Sequence, residues 1–145
     1  MVEHVRSTFP KEGCGILIGT EDGETRSVVA ALPCENAYQG DQSDFFVIDP
    51  RDFHRADREA VARGLSIVGV YHSHPNCDAY FSARDLENSN PWLSFVVLSI
   101  KNGEFDHANS YRPDYDQKSA PKEELRFPKD YGKDSHSHSA APIRG

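Results

Sequence analysis

Runs of apolar residues, closed off by glycine, proline and acidic clusters, divide the chain into recognisable elements. Cys14-Gly15-Ile16-Leu17-Ile18-Gly19 is a short apolar run and predicts a buried strand. Glu21-Asp22-Gly23-Glu24 predicts a turn, and residues 26–32, rich in valine and alanine, a second strand. Residues 33–43 carry Pro33, Asn36, Gly40 and Asp41 and predict a loop, and Phe45-Phe46-Val47-Ile48 predicts a third strand. Asp49-Pro50 combines an N-cap residue with proline at the first helical position. The helix it opens places Phe53, Ala56 and Ala60 on one face and ends at Gly64.

Ser66-Ile67-Val68-Gly69-Val70-Tyr71 is a second β-branched apolar run, and it leads directly into His72-Ser73-His74-Pro75. A loop and a short helix opening at Ser82 come next, then a strand over Phe95–Ile100. Lys101-Asn102-Gly103-Glu104 carries the Asn-Gly hairpin signal, so 105–112 is expected to return beside that strand. Near the N-terminus, Val2, Val5 and Arg6 fit a helical repeat that Pro10 stops. Beyond Pro113 the periodicity fades. Residues 113–128 form an extension whose order the pattern does not define, and 129–145 carry almost no apolar side chains and are expected to be disordered. The picture is one α/β domain over 1–112, with a mixed, mostly antiparallel sheet, one long helix and one or two short ones.

Composition narrows the function classes. The hydrophobic share of 37% is low because of the polar tail. A net charge of -7 disfavours a nucleic-acid partner, since phosphate backbones are repelled by an acidic surface. Three cysteines, Cys14, Cys34 and Cys77, form no disulfide framework spacing. The first residues have no signal-peptide core, and no apolar run reaches the roughly 18 residues of a membrane span. A cytoplasmic chain without a membrane partner is expected.

The candidate chemistry lies in the segment from His72 to Asp85. Side chains alternate along a strand, so His72 and His74 share a face about 6.6 Å apart. Two imidazoles at that spacing can converge on one zinc ion at roughly 2.0–2.1 Å. Asp85, in the first turn of the next helix, could return as an oxygen ligand. Three protein ligands leave a fourth position for water, the arrangement of a catalytic site. Such a site also needs a carboxylate base. Glu12, at the entry to the first strand, is a candidate that periodicity alone does not single out from the other acids.

Pro10-Lys11-Glu12-Gly13-Cys14-Gly15-Ile16-Leu17-Ile18-Gly19, Val68–Pro75 and Ser82-Ala83-Arg84-Asp85 together resemble the JAMM (MPN-plus) metalloprotease family. That family's signature is a distant glutamate, then His-x-His, seven residues, Ser, two residues and Asp, and seven residues separate His74 from Ser82 here. The resemblance covers roughly residues 2–112. It implies one Zn²⁺ per chain on His72, His74 and Asp85, Glu12 as general base, and Ser82 beside the water or the oxyanion. It further implies cleavage after the C-terminal glycines of a ubiquitin-like protein, with a sulfur carrier as the expected substrate partner. Two departures are visible: about nine residues precede Pro10, so a shortened N-terminal element is expected, and Phe81 stands where relatives often carry proline before the serine.

Each residue also has a plainer reading. His-x-His alone is commonly a surface feature, and His136-Ser137-His138 repeats it in the tail without an apolar strand before it or Ser-x-x-Asp after it. Ser82-x-x-Asp85 is also a helix-capping pattern. Cys14 reads as core. Cys77 could close the coordination as a fourth ligand or sit exposed in a loop, and Tyr80-Phe81 could line a cleft or pack the loop. The rival functions are a non-catalytic ubiquitin-like-binding scaffold and a DNA-linked relative with a similar His-x-His-Pro motif.

Overall fold

The computed structural model describes residues 1–126 and the backbone of 142–144. Along the chain run α1 (Val2–Thr8), β1 (Cys14–Asp22), β2 (Thr25–Cys34), α2 (Pro50–Ala62) and β3 (Ser66–Pro75). They are followed by α3 (Ala83–Glu87), β4 (Ser94–Lys101), β5 (Glu104–Tyr111), β6 (Lys122–Glu123) and β7 (Pro142–Arg144). The strands form a seven-stranded sheet in the order β6-β5-β4-β3-β1-β2-β7. Only β3 and β4 run parallel among the paired neighbours. This is the expected mixed, mostly antiparallel α/β sheet with one long helix and two short ones.

The three apolar runs become β1, β3 and β4 at the centre of the sheet, and they are buried on both faces through most of their length. Continuous apolar sequence, rather than alternation, is what a doubly covered strand requires. On one face Val5 of α1 packs with Leu17, Tyr71, Val96 and Leu98. Gly15 lies under the Tyr71 ring, where any Cβ would collide with it. On the other face α2 buries Ala56 and Ala60 and brings Phe53 beside Val70 and Phe95. Asp49 caps α2 by accepting from the Arg51 N–H at 2.8 Å. The β4–β5 hairpin turns at Asn102 and Gly103, with φ of 53° and 81°, as the Asn-Gly signal requires.

A parallel pair needs a crossover rather than a hairpin. The β3–β4 crossover carries α3, so it returns Asp85 toward the end of β3 that bears the histidines.

Three expectations change. Phe45–Ile48 is not a strand. Its backbone is held by the Asn36 side chain, which donates to Phe45 O at 3.0 Å and accepts from Val47 N at 3.1 Å. Ala37 N also donates to Val47 O at 2.8 Å. The segment is a strap over the sheet, with aromatic side chains that read as strand-like in sequence. Second, β2 continues through Pro33 and Cys34, where a loop was expected. Proline is tolerated there because β7 pairs with β2 only over Thr25–Ser27, so Pro33 lies on an open edge. Third, the extension supplies an edge strand, β6, in which buried Glu123 accepts from the Ser110 hydroxyl at 2.8 Å. The tail expected to be disordered, with His136 and His138, lies outside the described residues apart from the β7 backbone.

Candidate metal centre

β3 ends in the His-Ser-His segment, and its alternation does two jobs. His72 and His74 emerge on one face, while Ser73 turns to the other. There the Ser73 hydroxyl accepts from Gly13 N at 2.8 Å, and Ser73 N donates to Gly13 O at 3.0 Å. Ser73 thereby fastens the Glu12–Gly13 segment beside the histidines. Asn36 and Gln42 hold the same segment from the strap side: Asn36 Nδ2 donates to Glu12 O at 3.1 Å, and Glu12 N to Gln42 O at 2.7 Å. Cys14, opposite His72 in the β1–β3 register, is buried as the core reading expected.

Asp85 is delivered by a capping box. The Ser82 hydroxyl accepts from Asp85 N at 2.9 Å, and Ser82 N donates to Asp85 Oδ2 at 3.1 Å. That same Oδ2 lies 3.3 Å from His72 Nε2 and 3.4 Å from His74 Nε2, and the two Nε2 atoms are 3.2 Å apart. The capping and metal-binding readings of Ser82 and Asp85 therefore coexist in one geometry. His74 Nδ1 sits 3.0 Å from the Asp78 carbonyl, which can only accept, so Nδ1 carries the proton and Nε2 presents a lone pair. His72 Nδ1 is buried without a partner.

The residues fit a zinc-sized dication. Ligands at roughly 2.0–2.1 Å in a tetrahedron stand about 3.3–3.4 Å from one another. The three edges measured here, 3.2, 3.3 and 3.4 Å, match one face of that tetrahedron. The imidazole-rich donor set also suits zinc and its neighbours rather than calcium or magnesium. Cys77 is not part of this group; its carbonyl instead accepts from the Ser99 hydroxyl at 2.6 Å.

All four ionisable groups are buried. Burial alone would push the Asp85 carboxyl up, but hydrogen bonds from His72 and His74, the charge of His72 and the Ser82 N–H outweigh it and hold the group well below the usual carboxylate range. Burial lowers His72. For His74, burial lowers the ring, but Asp85, the Asp78 carbonyl and Glu12 together raise it. Glu12 is pushed up to about 8, chiefly by burial, with His74 opposing and Asp85 reinforcing the rise. Its Oε1 has no protein partner. A dication at the triad would pull this carboxyl back down.

Several further contributors complete the site; of these the sequence pointed only to Tyr80, as a residue that could line a cleft. Phe46 stacks on His72 with ring centroids 4.4 Å apart. Tyr80 meets His74 edge-on at 4.8 Å. Arg84 lies 3.9 Å over Phe45 and donates to the Tyr38 hydroxyl at 2.8 Å, clamping the strap to α3. Asn36, Ser73 and Arg84 stood in segments of ordinary loop, strand and helix composition. Their roles depend on partners tens of residues away, which no local pattern encodes.

His72 and His74 on a strand end, joined by Asp85 from a parallel crossover and faced by a buried glutamate, form a group that could hold a metal ion. Residues 1–114 match the family described as prokaryotic homologs of the JAB domain, and the chain belongs to that family. It is 35% identical over 89 residues to the desampylase of Haloferax volcanii, a match covering 61% of each chain. It is 28% identical over 113 residues to the CysO-cysteine peptidase of Mycobacterium bovis, covering 77% of this chain and 75% of that protein. A solution structure of a Desulfitobacterium hafniense protein superposes with a TM-score of 0.76 at 29% identity, covering 94% of this chain and 91% of that one. Among the described residues, no helix is long and apolar enough to cross a membrane.

Proposed function

We propose that this chain is a zinc-dependent peptidase or isopeptidase that hydrolyses the amide bond after the C-terminal Gly-Gly of a ubiquitin-like, sulfur-carrier protein. The observation that carries the reading is the convergence of His72, His74 and Asp85 with ligand edges of 3.2–3.4 Å beside a buried glutamate with a free oxygen. Relatives named desampylase and CysO-cysteine peptidase support this substrate class.

His72, His74 and Asp85 would hold the ion, which when bound supplies Lewis acidity toward a water and a carbonyl oxygen. Glu12 takes the proton of the attacking water and returns it to the departing amine. Its burial and its suspension from Asn36 and Gln42 keep the carboxyl from swinging into solvent. The Ser82 hydroxyl oxygen is engaged by Asp85 N, which leaves its hydrogen free to donate to a developing oxyanion. Asp78 holds the His74 tautomer through its carbonyl. A Gly-Gly tail suits a site roofed by Phe46 and Tyr80, because glycine adds no side chain to exclude.

The test is mass spectrometry of a ubiquitin-like sulfur carrier extended by one or two residues past Gly-Gly. It is incubated with the zinc-loaded protein, with chelator, and with Glu12→Gln. Loss of the extension with the zinc-loaded wild type alone supports the reading. An untouched carrier in every sample, with zinc bound and the carrier captured, would instead identify a binding scaffold.

A further inference from the structure

A cavity of about 220 Å³ opens directly against two of the triad residues, His72 and Asp85. Phe45, Phe46, Phe53, Phe81 and Phe95 line it, with Val70 of β3. Its walls are fixed: Phe46 stacks on His72, Phe81 tilts against Phe95 at 5.7 Å, and Arg84 clamps Phe45. Among the described residues, and apart from the triad, Asn88 and Asn90 alone bring polar side chains to its lining. An apolar cavity of about 150 Å³ already accommodates benzene, so this one has room for a whole aliphatic or aromatic side chain. The chemistry of its walls favours such a group over a polar one, which would be buried without hydrogen bonds.

The owner of that side chain follows from where the cavity begins; this step rests on the reading that cleavage comes after Gly-Gly. On the acyl side of the bond the nearest two residues then have no side chain. The third lies about 10 Å back along an extended chain, at roughly 3.3 Å per residue. The cavity borders the metal ligands themselves, so the side chain with immediate reach belongs to the first residue past the bond. We propose that this cavity is the leaving-group subsite and that it selects a large apolar residue, of the leucine, methionine or phenylalanine class, joined through its α-amine. Hydrolysis there consumes one water and yields the carrier's carboxylate and the free α-amine of that residue. An ε-linked lysine fits less well, because its stem would carry its own backbone amides into the apolar cavity.

Two measurements test this. In the first, one carrier ending in Gly-Gly is extended by Leu, Phe, Ala, Asp or an ε-linked lysine, and kcat/KM is compared on the zinc-loaded protein. Leu and Phe are expected to exceed Ala by at least about ten-fold, and Asp and the ε-linked lysine by more. Val47→Trp, at the half-exposed rim, should collapse the Leu-to-Ala ratio toward one. Equal rates for Leu, Ala and Asp would overturn the proposal. The second measurement needs no turnover: NMR titration of the same protein with phenylalaninamide and alaninamide, as mimics of the released amine. Saturable binding of phenylalaninamide at least about ten-fold tighter than alaninamide, and lost in Val47→Trp, supports the subsite. No difference between the two amides overturns it, even if no carrier is cleaved and the fault lies with the Gly-Gly reading.

Discussion

Among the described residues, two groups bring three potential ligand atoms close enough to share an ion: His72, His74 and Asp85, and the surface set Asp78, Asp106 and His107. They differ in what already engages those atoms. In the surface set, Lys101 Nζ sits 2.6 Å from Asp78 and 3.6 Å from Asp106. His107 pairs with Asp106 through Nδ1 at 2.6 Å and accepts from Ala79 N through Nε2 at 3.0 Å. Both imidazole nitrogens are engaged by the protein, and one of the two carboxylate charges is offset by a lysine. In the buried set, the ion pairs among the described residues are with the two histidines and none with a lysine or arginine, and the His74 lone pair is turned inward by a backbone carbonyl. A count of ligand-type residues would rate the two groups alike; the lysine and the carbonyl separate them.

The comparison breaks most sharply at the base. Glu12→Gln should lower kcat by about 10²–10⁴-fold while zinc stoichiometry is unchanged. A matching loss of zinc would mean that Glu12 is a ligand rather than a base. Next, Asp85→Asn should weaken zinc by more than the roughly 10–100-fold cost of losing a supporting partner. Asp106→Asn should leave zinc content within error, and equal losses in both variants would put the ion at the surface set.

Asn36→Ala should destabilise the protein by about 1–3 kcal/mol in chemical denaturation, because it strips hydrogen bonds from Glu12 O, Phe45 O and Val47 N. A change in stability well below that range would mean that the strap is held by its aromatic contacts instead.

The smallest effect is a slope. In chelated protein Glu12 titrates near 8 when folded, against 4.5 for a free carboxyl. The folded state therefore binds the extra proton, and that stability is present below about pH 4.5 and lost as pH rises through about 8. Asp78 and Asp106 are held low by Lys101 and His107 respectively, so their contribution is lost in the opposite direction, as pH falls below their ordinary value of 3.8. Melting curves from pH 5 to 8 without metal should show a decline that Glu12→Gln removes and Asp106→Asn does not.

The aromatic segment at 45–48 and the histidine pair show where sequence is legible. Strands over 14–19, 66–71 and 95–100, the Asp49-Pro50 helix and the Asn-Gly hairpin all announce themselves, because burial on both faces, capping and positive φ each demand particular residue types locally. The histidines were legible for the same reason: alternation at a strand end puts them on one face. Phe45–Ile48 misread as a strand because its apolar run is identical whether the backbone pairs with a neighbour or hangs from Asn36.

By itself the sequence determined the α/β architecture, the central strands, and His72, His74 and Asp85 as candidates, because those features rest on short-range periodicity and on the spacing of chemically distinctive residues. Glu12 and Ser82 were picked out only by the resemblance to a known family, since periodicity does not separate Glu12 from the other acids. Only the tertiary structure decided that Asp85 uses one oxygen for both its cap and the triad, and that Ser73 and Asn36 carry Glu12 to the site. It alone enclosed an apolar cavity against His72. Each of these depends on atoms brought together across the crossover or the strap, and distance in space between such partners leaves no trace in the order of residues.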